Sequence, residues 1–464
     1  MTARRLYPSL LAVLALAGCS MAPRYTAPAP PVPGEFPGQP AAASGSAAAE
    51  LDWKAFYADP RLQRVLELAL ANNRDFRIAG LNIKKAGDYY QIQRAALLPK
   101  VNAGGSYYRG SVPATSAGLV PGFGASVGIS AWEMDFFGRL TSLKQEALQN
   151  YLATEEAQRA ARVALLAQVA NGYLMLAGDQ ESLKLAEATV QSQSSTYDMV
   201  RRRFLVGAGS EIDARRAQIS LESARVDLAS YTRTVALDRS TLDLLVGAPV
   251  PPDLLPESLG GIAPLREDFA VGLPSEVLLR RPDILMAEDQ LKAANADIGA
   301  ARAALFPSIT LTTSAGTSGG SLNAMFRSGS NYWLIYPQIN LPIFDFGTRQ
   351  ANLRVSKTQR EIYVAQYEKA IQTAFKEVSD ALAVRETLRQ QRVAQAALAD
   401  ATGATYRLAT ARYQVGMDSS LSALDAQRTS NAAQQGLIAL RQAELGNLVT
   451  LYKVLGGGAG SPVR

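Results

Sequence analysis

The chain has 464 residues, of which 48% are apolar and 19% are charged, so it can bury a sizeable core. It contains no histidine and a single cysteine, Cys19. Histidine-dependent catalytic triads, histidine-ligated metal centres, multi-thiolate metal sites and intramolecular disulfides are therefore excluded. The net charge of +6 is small for this length and does not predict a surface for nucleic acid.

Residues 1–18 have the features of a signal peptide. Arg4 and Arg5 precede an apolar run over 10–16, which is too short to span a bilayer and ends in Leu-Ala-Gly-Cys. This ending resembles the lipobox of bacterial lipoproteins, which implies a covalent lipid on Cys19. The next residue is Ser20 and not aspartate, which resembles lipoproteins sent to the outer membrane. The alternative is an inert cysteine behind an uncleaved leader.

Residues 19–50 form a segment rich in proline and alanine. Proline at this density prevents a helix and favours an extended backbone. We expect a lipidated linker that separates the lipid from the fold.

Proline is absent between Pro121 and Pro249 and again between Pro342 and Pro462. Because an interior proline costs a helix about 3 kcal/mol, these stretches predict very long helices. Glycine followed by serine interrupts each stretch near its middle, which indicates a helix end and a new helix start. The sequence therefore predicts two helical hairpins, over 138–247 and 347–455.

The two hairpins belong to an internal duplication. The segment 203–210 (RFLVGAGS) recurs at 412–419 (RYQVGMDS), and 94–99 (RAALLP) recurs at 302–307 (RAALFP). Several matched blocks in the same order indicate one unit present twice. We place the two repeats at 51–265 and 266–464, the second ending in a flexible glycine-rich tail.

Each repeat is expected to begin with a helix, over 62–97 and 276–305, followed by two strands. Alternation of apolar and small polar residues predicts strands at about 100–112, 122–136, 307–318 and 331–344. Four strands cannot enclose water, and an open sheet in lipid would leave backbone groups unpaired. Several chains must therefore share one barrel.

The first helix of each hairpin would extend about 100 Å at 1.5 Å per residue. Gly172 and Gly178 are expected to bend the helix of the first repeat. Helix pattern alone would also suit a coiled-coil stalk, but the duplicated strand pairs favour the shared barrel.

In their order along the chain, the lipobox, the duplicated 94–99 and 302–307 segments, the junction at 344–347 and the two Val-Gly turns resemble the TolC family of outer membrane factors. The lipidated OprM-like and NodT-like branches are the most similar. The resemblance extends from about residue 51 to residue 456.

The resemblance implies a mixed fold of long α-helices and a transmembrane β-barrel. In a homotrimer, each chain would give four strands to a twelve-stranded outer membrane barrel and its hairpins to a periplasmic α-helical barrel. The implied partners are a periplasmic adaptor, an inner membrane pump of the resistance-nodulation-division type and outer membrane lipids. The implied function is passive export of small molecules, with no catalysis and no cofactor besides the lipid on Cys19.

The resemblance also assigns roles to the two turns. In the family, the hairpin tips dock the adaptor through their Val-Gly turns, which here are Val206-Gly207 and Val415-Gly416. A tight turn requires glycine in any case, so the turn role and the docking role can coexist.

The family closes its periplasmic end with a tyrosine and an aspartate near the last tip, positions that match Tyr413 and Asp425. Three copies of a carboxylate around one axis could attract cations. Asp418 is a further candidate, although some relatives carry a basic residue there, and a helix-capping role for Asp418 is equally compatible with its position.

Two other classes of protein remain as alternatives. An adaptor lipoprotein would carry one hairpin within a single β-rich domain, whereas this chain has two. A lipid-anchored periplasmic hydrolase would need a compact pocket domain, which the sequence does not predict. The exported substrate is not predicted.

Overall fold

The computed structural model describes residues 20–36, 48, 51–109, 122–267 and 280–460. The signal peptide and Cys19 lie outside the described residues. The chain divides into two compact units: residues 1–29, 81–155 and 286–369 form the first, and residues 30–80, 156–285 and 370–464 form the second.

Eight α-helices and four strands make up the described regular structure, besides short 3-10 turns. The helices are α1 (Trp53–Phe56), α2 (Pro60–Asn72), α3 (Arg74–Ala95), α4 (Arg139–Leu205), α5 (Glu211–Val246), α6 (Pro282–Ala303), α7 (Thr348–Gln414) and α8 (Ser420–Val454). The strands are β1 (Val101–Tyr108), β2 (Gly122–Met134), β3 (Ser308–Gly319) and β4 (Asn331–Asn340).

The strands lie in the first unit and form one antiparallel sheet in the order β1-β2-β3-β4. The pairing of β2 with β3 joins the strands of the two repeats. The register of β2 shifts between Ile129 and Trp132, where Ala131 has a φ of 46°. This β-bulge adds one residue, so Ile129 and Trp132 stay on the same face of the sheet although they are three positions apart.

The second unit contains the main apolar core. The ring of Phe56 stacks on that of Tyr452 with centroids 3.9 Å apart, and Tyr57 meets both rings edge-on. Asp59 caps α2 by accepting hydrogen bonds from the backbone of Arg61 and Leu62. This cap fixes the start of α2, whose apolar side is buried.

The helix expected over 62–97 is two helices, because α2 ends at Asn72 and α3 starts at Arg74. The Asn73 side chain donates to the carbonyl of Leu245 (2.8 Å) and accepts from the backbone of Phe76 (2.8 Å). The break therefore allows Asn73 to contact the end of α5. This partner is far away in the sequence, so the local sequence does not predict the break.

α4 continues through Gly172 and Gly178 without a break. A Cβ at Gly178 would lie 2.7 Å from the side-chain oxygen of Gln442 on α8. At Gly178 the missing side chain makes room for the neighbouring helix, as glycine does where a close approach is needed. Of the described helices, α4 alone contains a stretch long and apolar enough to cross a membrane, and 56% of that stretch is buried as in a core helix.

The expected flexible tail is wrong for residues 456–460. Gly456 to Ala459 are buried, and a Cβ at Gly457 would lie 2.2 Å from the ring of Tyr452. The absence of side chains lets this segment pack flat on an aromatic core residue.

The linker expected over 19–50 is also not a free tether in its described part. Residues 21–25 lie on α6, and Phe36 stacks on Phe375 with centroids 5.1 Å apart. The segment is extended, as its prolines require, but it packs along the fold.

Candidate functional sites at the sheet and the hairpin tips

The register of the sheet separates its residues into two faces. One face is mostly apolar. It includes Val101, Ala103, Tyr107, Phe123, Ala125, Val127, Ile129, Trp132, Met134, Ile309, Leu311, Ala315, Trp333, Ile335 and Ile339. Several of these side chains are exposed in the single chain, and Trp333 is 77% exposed. An exposed apolar sheet face of this kind is typical of strands that face lipid.

The opposite face is mostly polar. It includes Asn102, Ser106, Ser126, Thr310, Thr312, Ser314, Ser318, Gln338 and Asn340, with Tyr332, Leu334 and Tyr336 among them on β4. Within the described residues, β1 pairs only with β2, and β4 pairs only with β3. The sheet therefore has one face for lipid, one face for water and two edges available for pairing.

The junction between β4 and α7 carries two exposed aromatic rings, Phe344 and Phe346, whose centroids are 4.5 Å apart. Asp345 caps α7 by accepting from the backbone of Gly347 and Arg349, and the guanidinium of Arg349 lowers the pKa of Asp345 further. Aromatic rings beside a lipid-facing sheet are characteristic of membrane interfaces.

The two hairpin tips are built in the same way. Gly207 (φ 75°) and Gly416 (φ 76°) adopt the left-handed conformation that ends a helix. Ser210 and Ser419 then cap α5 and α8 by accepting backbone hydrogen bonds. The predicted helix ends and starts are thus confirmed.

In the part of the chain that the structure describes, the valines before these glycines are largely exposed. Val206 is 79% exposed and Val415 is 70% exposed. A tight glycine turn beside an exposed valine presents backbone and a small apolar surface together. Such a surface is suited to contact another protein.

Side chains join the two tips to one another. The hydroxyl of Ser420 donates to the carboxylate of Asp213 (2.7 Å). Further along the helices, the Gln193 amide donates to the side-chain oxygen of Gln427 (2.9 Å), and Gln427 donates to Ser192 (3.1 Å). The hairpins are therefore linked by polar contacts over several turns.

Tyr413, the first gate candidate, lies between the hairpins. Its ring packs against a small buried cluster that includes Val200 and Ala217. The guanidinium of Arg203 lies 5.4 Å from the centroid of the ring, which is within range of a cation–π contact. Tyr413 therefore holds α7 against α4 and α5 of the same chain.

Asp418 pairs with its own chain. One carboxylate oxygen accepts from the backbone of Ser419 (2.9 Å) and the other lies 3.4 Å from Nε of Arg412. The backbone hydrogen bond from Ser419, then the Ser422 hydroxyl and Arg412, lower the pKa of Asp418. The residue that caps α8 is Ser419 and not Asp418.

Asp425 lies about two turns further along, on α8, and pairs with Arg428 (2.7 Å). Both side chains line a groove of about 530 Å³ between α4, α5 and α8, together with Ile219 and Asp227. The groove is open, mixed in polarity and close to the tips.

Within the described residues, no hydrogen bond or ion pair joins Tyr413, Asp418 and Asp425 to one another. Each is instead held by a basic residue: Arg203, Arg412 and Arg428 respectively. We did not predict these three partners from the sequence. Two of these partners are predictable from the sequence. Arg412 immediately precedes the turn that contains Val415 and Gly416, and Arg428 lies three positions after Asp425 on the same face of α8.

Comparison with known proteins agrees with this geometry. The family model for outer membrane efflux proteins matches residues 65–248 and 273–457, once in each repeat. The antibiotic efflux pump outer membrane protein ArpC of Pseudomonas putida is 46% identical over 452 residues, 96% of this chain and 93% of that protein. The toluene efflux pump outer membrane protein TtgC of the same species is equally similar over the same shares.

Solved structures give the same result. The open state of the MtrE outer membrane channel of Neisseria gonorrhoeae has a TM-score of 0.86 and 38% identity, covering 95% of this chain and 99% of that one.

The chain belongs to the outer membrane efflux protein family. It is a channel component of an efflux system, located in the outer membrane and extending into the periplasm. The fold class expected from the sequence is confirmed: an internally duplicated, mainly helical chain that gives four strands to a trimeric twelve-stranded barrel.

Proposed function

We propose that three copies of this chain form a passive conduit that receives solutes from a periplasmic adaptor and an inner membrane pump of the resistance-nodulation-division type. The observation that carries the proposal is the sheet, which has a lipid-compatible face and a polar face, and whose two edges have no strand partner among the described residues. Pairing of β4 with β1 of the next copy satisfies both edges, which lipid requires.

The solutes are proposed to be small organic molecules, including antibiotics and aromatic solvents. The support comes from two relatives with 46% identity, whose names record antibiotic and toluene efflux. A deletion strain should become more susceptible to both classes, and the intact gene should restore resistance. Unchanged susceptibility to both would contradict this assignment.

Cys19 is proposed to carry the lipid. The lipobox ending supports this assignment. A lipid adds an anchor to the inserted strands.

The Val-Gly turns at 206–207 and 415–416 are proposed to dock the adaptor. Val415→Asp places a charge at the centre of this surface, and the buried charge should weaken adaptor binding roughly tenfold or more. Pull-down of the adaptor by the purified trimer measures this loss. Leu408→Asp, at another exposed apolar site of α7, is the matched control, and equal loss in both variants would remove the assignment.

Tyr413, Asp418 and Asp425 are proposed to form the periplasmic gate. Each acidic group is paired with an arginine of its own chain, so a change of pairing partner between copies is available to open or close the end. Asp425→Asn should loosen the closed state and raise single-channel conductance in planar bilayers. Asp400→Asn on the exposed side of α7 is the control, and no difference between the two variants would contradict the gate.

A detergent-resistant trimer in outer membrane fractions tests the proposed function as a whole. We expect the trimer to remain in the membrane when Cys19 is replaced and a non-lipoprotein leader is used, because the strands themselves span the bilayer. Release of a soluble monomer would instead favour a lipid-anchored periplasmic protein.

A further inference from the structure

Helix α6 carries a polar stripe made by Glu288, Lys292, Asn295, Gly299 and Arg302. Their spacing alternates between four and three residues, which places them on one face of the helix. Such a seam is normally apolar where helices pack together. This face of α6 is polar, yet Asn295 and Gly299 are buried, so a segment with polar groups must pack against it. We call these five residues the α6 stripe.

The cover is the segment that follows Cys19. The hydroxyl of Tyr25 donates to Glu288 (3.1 Å), and Nζ of Lys292 lies 5.9 Å from the centre of the same ring. The side-chain amide of Asn295 donates to the carbonyl of Pro23 (2.7 Å). The stripe therefore offers the hydrogen-bond donors that a proline-containing extended strand cannot find within itself.

The contact continues to the end of the helix. Arg302 donates to the carbonyl of Met21 (3.1 Å). A Cβ at Gly299 would lie 2.7 Å from the backbone nitrogen of Ala22, so the segment touches the helix backbone at this point. The segment runs antiparallel to α6, and its first residues lie beside the last turn of the helix.

Among the described residues, no segment covers the related helix of the first repeat in this way. Arg94 on α3 corresponds to Arg302 by the duplication, but none of the residues of α3 is buried. The duplication therefore supplies two similar helices, of which α6 has a stripe adapted to the amino-terminal segment. Arg94 provides a natural control for Arg302.

We propose that the α6 stripe is a docking site for the residues next to the acylated cysteine, and that it fixes where the lipid enters the membrane. This inference rests on the proposed acylation of Cys19. Met21 is held at Arg302, and β3 begins at Ser308, a few residues after α6 ends. Cys19 lies only two positions before Met21 in the sequence, a length of at most about 7 Å in an extended chain.

Docking at this place links the anchor to the strands. Acyl chains that enter the bilayer beside the start of β3 hold the sheet at the membrane surface, which raises the effective concentration of strands for insertion and pairing. A free tether of the same composition would not fix this distance. Docking should therefore increase the yield of the assembled trimer without affecting acylation.

The test uses the full-length protein expressed in its own host. Asn295→Ala combined with Arg302→Ala removes the hydrogen bonds to the carbonyls of Pro23 and Met21, so trypsin cleavage after Arg24, which requires the segment to leave the helix, should accelerate roughly tenfold. The amount of trimer in the outer membrane should fall several-fold, while mass spectrometry of the amino-terminal peptide shows unchanged acylation. Arg94→Ala should change none of these quantities.

A second pair of variants separates docking from folding of α6. A Gly-Ser insertion after Ser20 keeps the contacts of Met21, Pro23 and Tyr25 but releases the lipid from them, and it should lower trimer yield. The same insertion after Ala43 should not. Normal yield from both the double variant and the Ser20 insertion, with acylation intact, would overturn the proposal. An unchanged rate of trypsin cleavage after Arg24 in the double variant would also overturn it. An unacylated wild-type Cys19 would overturn the proposed lipidation instead.

Discussion

Replacing Val127 with arginine should abolish most of the membrane-inserted trimer. Val127 lies near the middle of β2 on the apolar face, between Ala103 of β1 and Ala315 of β3. An arginine facing lipid near the bilayer centre costs about 2–4 kcal/mol per chain, and the trimer contains three copies. The amount of heat-modifiable trimer in outer membrane fractions measures the loss.

Ser126→Arg is the matched control for this variant. Ser126 is the neighbouring residue of the same strand and projects to the polar face, opposite Gly104 and Gly316. Because that face is expected to contact water, the trimer should still form, with an altered conductance. Equal loss in both variants would mean that the two faces do not differ in environment, and the proposed barrel would be wrong.

Replacing Arg281 with alanine should cause a large loss of stability. The guanidinium is buried and donates to Asp283 (2.7 and 3.0 Å), to Glu377 (2.7 Å) and to the carbonyl of Val454 (2.9 Å). Burial disfavours the charge, but the two carboxylates outweigh it and raise the pKa of Arg281. Because Asp283 and Glu377 keep 41% and 43% of their side chains exposed, the loss comes mainly from the buried hydrogen bonds and packing of the guanidinium and should be about 2 kcal/mol.

Thermal dissociation of the purified trimer measures this effect. Lys376→Ala removes an ion pair with Asp380 on the same helix, next to Glu377, but that pair is exposed and its loss should hardly change the transition temperature. If both variants melt alike, Arg281 does not hold α7 and α8 to the start of α6, and this explanation of its burial fails.

The sequence predicted most of the regular structure because the signals were local. The glycine and serine at each hairpin turn and the alternation within the strands act over a few residues. Gly207 and Ser210 illustrate this, since one ends α4 and the other starts α5 as expected.

The wrong expectations all involved distant partners. Asn73 breaks a helix to reach Leu245, Gly458 packs against Leu166, and Met21 is held by Arg302. Proline and glycine predict an extended or flexible backbone, but they do not reveal which surface that backbone meets. For this reason the sequence predicts a free tail and a free linker, whereas in the structure the tail is packed and the described part of the linker is docked.

The candidate sites, too, were predictable only where the signal lies within a few residues of sequence. The tip valines and glycines were predictable from the turn pattern and from family resemblance. The contact between Ser420 and Asp213, which joins the tips, requires the two hairpins to be placed side by side, and the duplication alone does not fix that placement.

A cryo-electron microscopy map of the detergent-purified protein tests the central claim most directly. We expect three-fold symmetry, twelve strands closed by pairing of β4 with β1 of the neighbouring copy, and a continuous passage along the axis. A map of a single chain with an unclosed four-stranded sheet, or of an assembly without an axial passage, would contradict the account.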